Sequence, residues 1–355
     1  MDLSLDEMAQ AAVDAVNAVC VGQSPPGRPS WARDAEPLGH DPKLWAELCA
    51  IGLPGLAVPE EQGGGGADLL ALTAVAQQLG TVLAPAPFNE HAVAVRLLAR
   101  LAPNHPDLEA AVCGELIVTL APRVTDGIAL VVPAGAVADV VIGCDSGELV
   151  AVRSEPPREA LPNQGNLPIA DRDLRSGERV VLATGLAAPE AFEDASDEWL
   201  TLVAGWLAGL SSGALEVAVR WVKDRQQFGV AIGSFQAVAH GLADIPGQVD
   251  GSTLLAREAA WSLSTGLPST TGANGTELAL MALLFASDTA HLASAKLVQY
   301  HGGLGVAEEH DAQLFYRRAR AYPLVTGAPR AQLRELGKAV VTEFSRGAGV
   351  PGGQA

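Results

Sequence analysis

The alternation of apolar and polar positions divides the chain into three stretches of different period. To about residue 112 the period is helical. Leu44, Trp45, Leu48 and Ile51 share one helical face and stop at Gly52; Leu69, Leu70, Leu72, Val75 and Leu79 do the same and stop at Gly80. A further helix is predicted from Asn89 to Leu101. Between the first two, the segment from Leu53 to Gly66 is too rich in Pro and Gly for a regular element.

From about 113 to 192 the period shortens. The runs 116–120, 128–132, 137–142 and 180–182 are β-branched, short, and cut by Gly, Pro or Asp, so they predict strands of a small β-barrel-like domain. From about 193 to 346 the helical period returns. Trp199, Val203, Trp206, Leu210, Val217 and Trp221 form one long apolar stripe, read as packing a bundle rather than touching a substrate. Further helices are predicted from Ser234 into the 250s or 260s (with Pro246-Gly247 as a potential kink), from Thr276 to Tyr300, and from Pro329 to Arg346. Residues 347–355 read as a loose tail. The fold class is mainly α with a middle β domain: an N-terminal helical domain (1–112), the β domain (113–192) and a C-terminal four-helix bundle (193–346).

Composition narrows the function. The 355 residues carry a formal charge of −18, with 48% apolar and only 18% charged residues. Such a chain can bury a core, but it has no clustered Lys and Arg for a phosphate backbone or an anionic lipid surface. No nucleic acid and no membrane insertion are expected: the first residues are acidic and no apolar run approaches a membrane span. A cytoplasmic location follows as the default. Cys20, Cys49, Cys113 and Cys144 lack metal or redox spacing and read as buried, reduced thiols; no metal site is predicted.

Most motif-like features have plain structural readings. Gly63–Gly66 is followed by no Lys-Ser/Thr, and Gly302-Gly303-Leu304-Gly305 follows a helix rather than a strand, so neither is a nucleotide loop. No Ser nucleophile elbow or paired-His motif occurs. Glu308-Glu309-His310-Asp311 suits a helix N-terminus. Two segments offer more. Arg225-Gln226-Gln227-Phe228-Gly229, continuing to Phe235-Gln236 and Leu242-Ala243-Asp244, places a guanidinium after a long helix, where it can meet an anion. Gln299-Tyr300-His301-Gly302-Gly303-Leu304-Gly305 ends another helix with glycines that admit a bulky ligand to the backbone.

Together these segments resemble the acyl-CoA dehydrogenase family. The resemblance extends to Trp45–Leu48, to Leu56–Gly64 and to Leu79-Gly80 with Leu83–Pro87, and so covers most of the chain. It implies FAD as cofactor, an acyl-CoA thioester as substrate, a Cα=Cβ double bond as product, and an electron-transfer acceptor protein. It also implies that Arg225, Gln227, Phe228, Gln236, Gln299 and Gly303 reach a flavin held at a subunit interface.

The departures from the family pattern matter as much. The family's base is usually a Glu just before a Gly, and here Thr326 precedes Gly327. A Thr hydroxyl cannot act as a general base near neutral pH. Some relatives carry the Glu on the helix before the Arg motif; that position falls at or beside Trp199, and Glu198 is turned about 100° from it. The Thr-Glu-Pro-x-x-Gly-Ser-Asp loop that holds a subunit's own flavin is missing from Leu120–Gly127. The expected picture is a half-site offered to a neighbour, with no carboxylate left over the chain's own site. This resembles the non-catalytic β-type subunit of actinobacterial α2β2 heterotetramers that act on steroid side-chain CoA esters, with acyl-CoA bound mainly by a homologous catalytic subunit. Two other readings stand beside it: a homomeric enzyme using Glu198 as base, and a flavin-free structural or regulatory paralogue.

Overall fold

The computed structural model describes residues 1–23, 35, 38–329, 331–334, 336–338 and 341. Helices α1 (Glu7–Gln23), α2 (Pro42–Ala50), α3 (Leu69–Thr81), α4 (Phe88–Leu101) and α5 (Leu108–Val112) form the N-terminal unit. Local chemistry sets their starts. Asp41 caps α2 by accepting from the Lys43 and Leu44 N–H groups, with Pro42 as first helical residue, and Asp68 caps α3 by accepting from Ala71. The segment between them contains only turns and the short 3-10 helix Glu60–Gln62.

The middle unit holds β1 (Val118–Ala121), β2 (Val124–Thr125), β3 (Ile128–Val132), β4 (Val140–Asp145), β5 (Glu148–Arg153), β6 (Ala170–Asp173) and β7 (Glu178–Thr184). One sheet has the order β1-β4-β5-β7 and the other β2-β3-β6. Only the β1–β4 pairing is parallel. Ala121, Ala129, Val132, Val141, Val150, Val152 and Leu174 form a small core of their own. Strands β2, β5 and β6 escaped the sequence reading. Strand β6, Ala-Asp-Arg-Asp, alternates buried and exposed positions but buries an Arg, whose guanidinium donates to the carbonyls of Gly135 and Ala138.

Helix α6 (Ala187–Asp224) runs for 38 residues and starts within the stretch assigned to the β unit. A hairpin of β8 (Gln226–Gln227) and β9 (Val230–Ala231) follows, then α7 (Gln236–Ala243), α8 (Ile245–Thr265), α9 (Gly275–His301) and α10 (Ala312–Thr326). The helix expected from Ser234 into the 260s is therefore broken at Asp244. Pro246 lies in the first turn of α8, where its missing N–H is harmless, and Asp244 between the two helices keeps right-handed helical dihedrals. Helices α6, α8, α9 and α10 pack as the bundle. Of the helix expected over Pro329–Arg346, residues 329, 331–334, 336–338 and 341 are helical, and its other residues, like the whole tail, lie outside the described residues.

Helix α3 packs tightly on α6 because glycines remove the side chains between them. Gly205, Gly209 and Gly213 recur once per turn on α6 and face the α3 carbonyls of Thr73, Gln77 and Thr81, while Gly80 of α3 faces that of Trp206. A β-carbon at Gly205 would lie 2.9 Å from the Thr73 oxygen, and at Gly209 or Gly213 closer still. One sequence expectation needs correction: α6 and Gly275–Val306 are each long and apolar enough to cross a membrane by length and composition. Both lie within the bundle, where α6 in particular is mostly buried.

Candidate functional site

Helix α6 ends at Arg225, whose backbone is extended, and this turns its guanidinium out of the helix. Arg225 donates its N–H to Trp221 and accepts from Ile232, which anchors the base of the β8–β9 hairpin. The Arg225 guanidinium stands 5.9 Å from the Trp221 ring centroid. Trp221 stacks at 4.4 Å on His301, and its indole N–H donates to the Tyr300 carbonyl at 3.0 Å, joining α6 to the end of α9. A groove of about 490 Å³ opens there, lined by Trp221, Arg225, Gln227, Gln299, Gly302 and Gly303 among others. Trp221 thus lines a groove as well as packing the bundle. A β-carbon at Gly303 would meet nothing, and Gly302 has φ +62°. Gln236 opens α7 nearby, exposed, and does not line the groove. Phe228 sits at the hairpin tip, 93% exposed, with φ +54°.

A second space lies where the three units meet. It is only about 40 Å³ and is lined by residues including Asn89, Glu90, Trp206, Arg318, Tyr322 and Val325. Trp206, assigned to bundle packing, borders this chamber. Thr326 follows Val325, and its hydroxyl donates to the Pro323 carbonyl at 2.8 Å. Glu198 points elsewhere: Arg96 holds both its oxygens, at 3.0 and 3.1 Å, beside a different groove. Its neighbour Trp199 turns toward the chamber and donates to Glu90 at 3.4 Å.

Glu90 corrects the expectation that no carboxyl remains at the chain's own site. It is 5% exposed, accepts from the Tyr322 hydroxyl at 2.8 Å, and burial pushes it above the usual carboxylate range. Tyr322 accepts in turn from the Asn89 side-chain amide at 2.9 Å, and burial with the adjacent Glu90 raises the phenol well above its ordinary value. A Glu at the third position of α4 reads in sequence as a dipole-complementing surface residue; only the chain packed over it reveals its burial. The cysteines also differ from expectation: Cys20 is buried, Cys49 and Cys144 are half-buried, and Cys113 is exposed.

Residues 6–103 match the model of the acyl-CoA dehydrogenase N-terminal domain, and residues 200–341 that of the C-terminal domain. Acyl-CoA dehydrogenase IpdE2 of Mycolicibacterium smegmatis is 31% identical over 303 residues, covering 84% of this chain and 88% of that protein. The chain belongs to the acyl-CoA dehydrogenase family. One chain of the ChsE4-ChsE5 complex from Mycobacterium tuberculosis superposes with a TM-score of 0.82 at 25% identity, over 99% of this chain and 100% of that one. A Tcur3481-Tcur3483 steroid ACAD variant has the same fold, with a TM-score of 0.80 at 24% identity, over 96% of this chain and 99% of that one. Acyl-CoA dehydrogenases are FAD-dependent oxidoreductases of lipid metabolism, and the helical, β and helical units seen here are the family's fold.

The α6–α9 groove fits part of such a cofactor. Among the described residues no carboxylate forms an ion pair with Arg225, and the Gly302-Gly303 backbone lies bare to the groove. An unpaired guanidinium beside bare backbone suits a pyrophosphate, which it meets through paired N–H donors. The 40 Å³ chamber does not fit a flavin ring: it has room for a few waters at most.

Proposed function

We propose that this chain completes the flavin site of a catalytic acyl-CoA dehydrogenase subunit in a heteromer, of α2β2 type, and does not turn over substrate alone. The observation that carries this reading is the contrast between the two spaces: an open groove of about 490 Å³ around Arg225 and a chamber of about 40 Å³ at the chain's own junction. Arg225, Gln227, Gln299 and Gly303 would hold the dinucleotide, with Gln236 and Phe228 reaching the partner. Bound FAD would take the hydride from the thioester β-carbon and pass electrons to an electron-transfer protein. The α-proton would go to a Glu of the partner, because Thr326 cannot take it and Glu198 is committed to Arg96. Acyl-CoA would sit mainly on the partner, in the cytoplasm, and steroid side-chain CoA esters are the first acyl class to test.

Co-expression with a Glu-bearing relative is the test. The pair should be yellow and active, and the single chain colourless and inactive. A chain that binds FAD stoichiometrically alone and oxidises an acyl-CoA would defeat the reading. Abolition of that activity by Glu198→Gln would favour the homomeric alternative instead. A colourless, inactive pair would favour the flavin-free paralogue.

A further inference from the structure

The side-chain donors to Glu90 among the described residues are a phenol and an indole, neither of them a cation. Each comes from a different helix. Asn89 and Glu90 belong to α4 of the N-terminal unit, Trp199 to α6, and Tyr322 to α10. Apart from these groups and the buried Arg318, the chamber wall is apolar, with Phe88, Leu79, Ala84, Ala134, Ile169 and Val325 among its residues. The Trp206 ring meets Tyr322 edge-on at 4.9 Å.

We propose that a proton on Glu90 holds the junction chamber shut, tying the N-terminal unit to the bundle through Tyr322 and Trp199. A neutral carboxyl can be buried with two donors at modest cost, whereas an unpaired carboxylate cannot. Loss of the proton therefore loosens the seam between α4, α6 and α10. This follows from the polar cluster alone and does not rest on the flavin reading.

The other charged groups facing this seam do not replace the proton. Arg318 of α10 directs its guanidinium to the Leu83 carbonyl at 2.6 Å. Glu198 is ion-paired with Arg96 beside a different groove. His91 of α4 turns away: it accepts from the Val118 N–H and donates to the Ala111 carbonyl, and burial lowers its pKa to about 4. His40 and Asp41 follow Gly39, which lines the chamber, and burial holds His40 neutral, with a pKa of about 4. From α3 and the loops at 133–134 and 167–169 only apolar side chains line the space.

The sign is fixed by linkage. A carboxyl raised on folding contributes fully below its unfolded pKa, and that contribution is lost as pH rises through its folded value. Thermal midpoints of the full chain and of Glu90→Gln, which cannot titrate, should therefore diverge as pH rises above the ordinary carboxylate range. The wild type should fall by several degrees relative to the variant. Infrared spectra taken just above the ordinary carboxylate range should show the C=O stretch of a protonated carboxyl that is missing from Glu90→Gln. Parallel midpoints, or no such band, overturn the proposal. If Glu90→Gln does not fold, hydrogen exchange of the wild type decides. Protection in Phe88–Leu101 and Ala312–Thr326, corrected for intrinsic rate, should fall with rising pH, and unchanged protection is the overturning result.

Discussion

Replacing Gly209 by Ala tests the α3–α6 seam, which positions the groove because α6 ends at Arg225. The new methyl group would be driven into the Gln77 carbonyl oxygen, far inside van der Waals contact. Backbone cannot swing aside as a side chain can, so the helices must part or shift in register. Overpacking of this kind costs about 1–3 kcal/mol. Against it, Ala gains about 1 kcal/mol over Gly in helix propensity. With backbone as the obstacle the cost falls toward the upper figure, leaving a net loss of about 2 kcal/mol. Gly247→Ala is the control: it lies in the first turn of α8, and an added methyl meets nothing within 4 Å. That variant should gain up to about 1 kcal/mol. Urea unfolding followed by tryptophan emission reads the seam directly, since Trp199, Trp206 and Trp221 all lie on α6. A Gly209→Ala protein as stable as the wild type would refute the argument, because the propensity gain would then have met no opposing contact.

Arg225→Ala should weaken flavin retention in the co-purified complex by roughly tenfold to a hundredfold, the value of a hydrogen bond to a charged group, read as flavin absorbance after gel filtration. Of the four thiols, exposed Cys113 should react first with a disulfide reagent and Cys20, which burial pushes up to about 12, last; mass spectrometry of partially labelled protein checks the order. Burial pushes Asp197 up to about 6, aided by Asp194 and Glu193 and opposed by the Thr276 hydroxyl. Its contribution to stability should be present below about pH 4 and be lost as pH rises to about 6, and the difference should vanish in Asp197→Asn.

The helical units were legible because their apolar positions keep one period. The Asp41 and Asp68 caps, Gly52 and the long Trp stripe all agree with the helices observed. Reading failed where burial depends on the rest of the chain. Strand β6 is almost wholly charged in sequence, and its buried Arg172 makes sense only once the carbonyls of Gly135 and Ala138 surround it. Strand β5, Glu-Leu-Val-Ala-Val-Arg, is a short apolar run in the middle of a sheet, without the alternation that marks a half-exposed strand. At the site, the Arg225 and Gln299 segments were found by motif, and the structure brings them to one groove. Glu90 was missed because nothing local separates it from a solvated first-turn Glu; its partner Tyr322 is 232 positions away.

The hairpin tip carries one further consequence. Phe228 adopts a left-handed backbone that L-residues take at a penalty of roughly 1–2 kcal/mol, and it displays its whole ring to water. If the heteromer proposed above forms, a partner surface over this tip would relieve that exposure, and Phe228→Ser would then weaken the pair without unfolding the single chain.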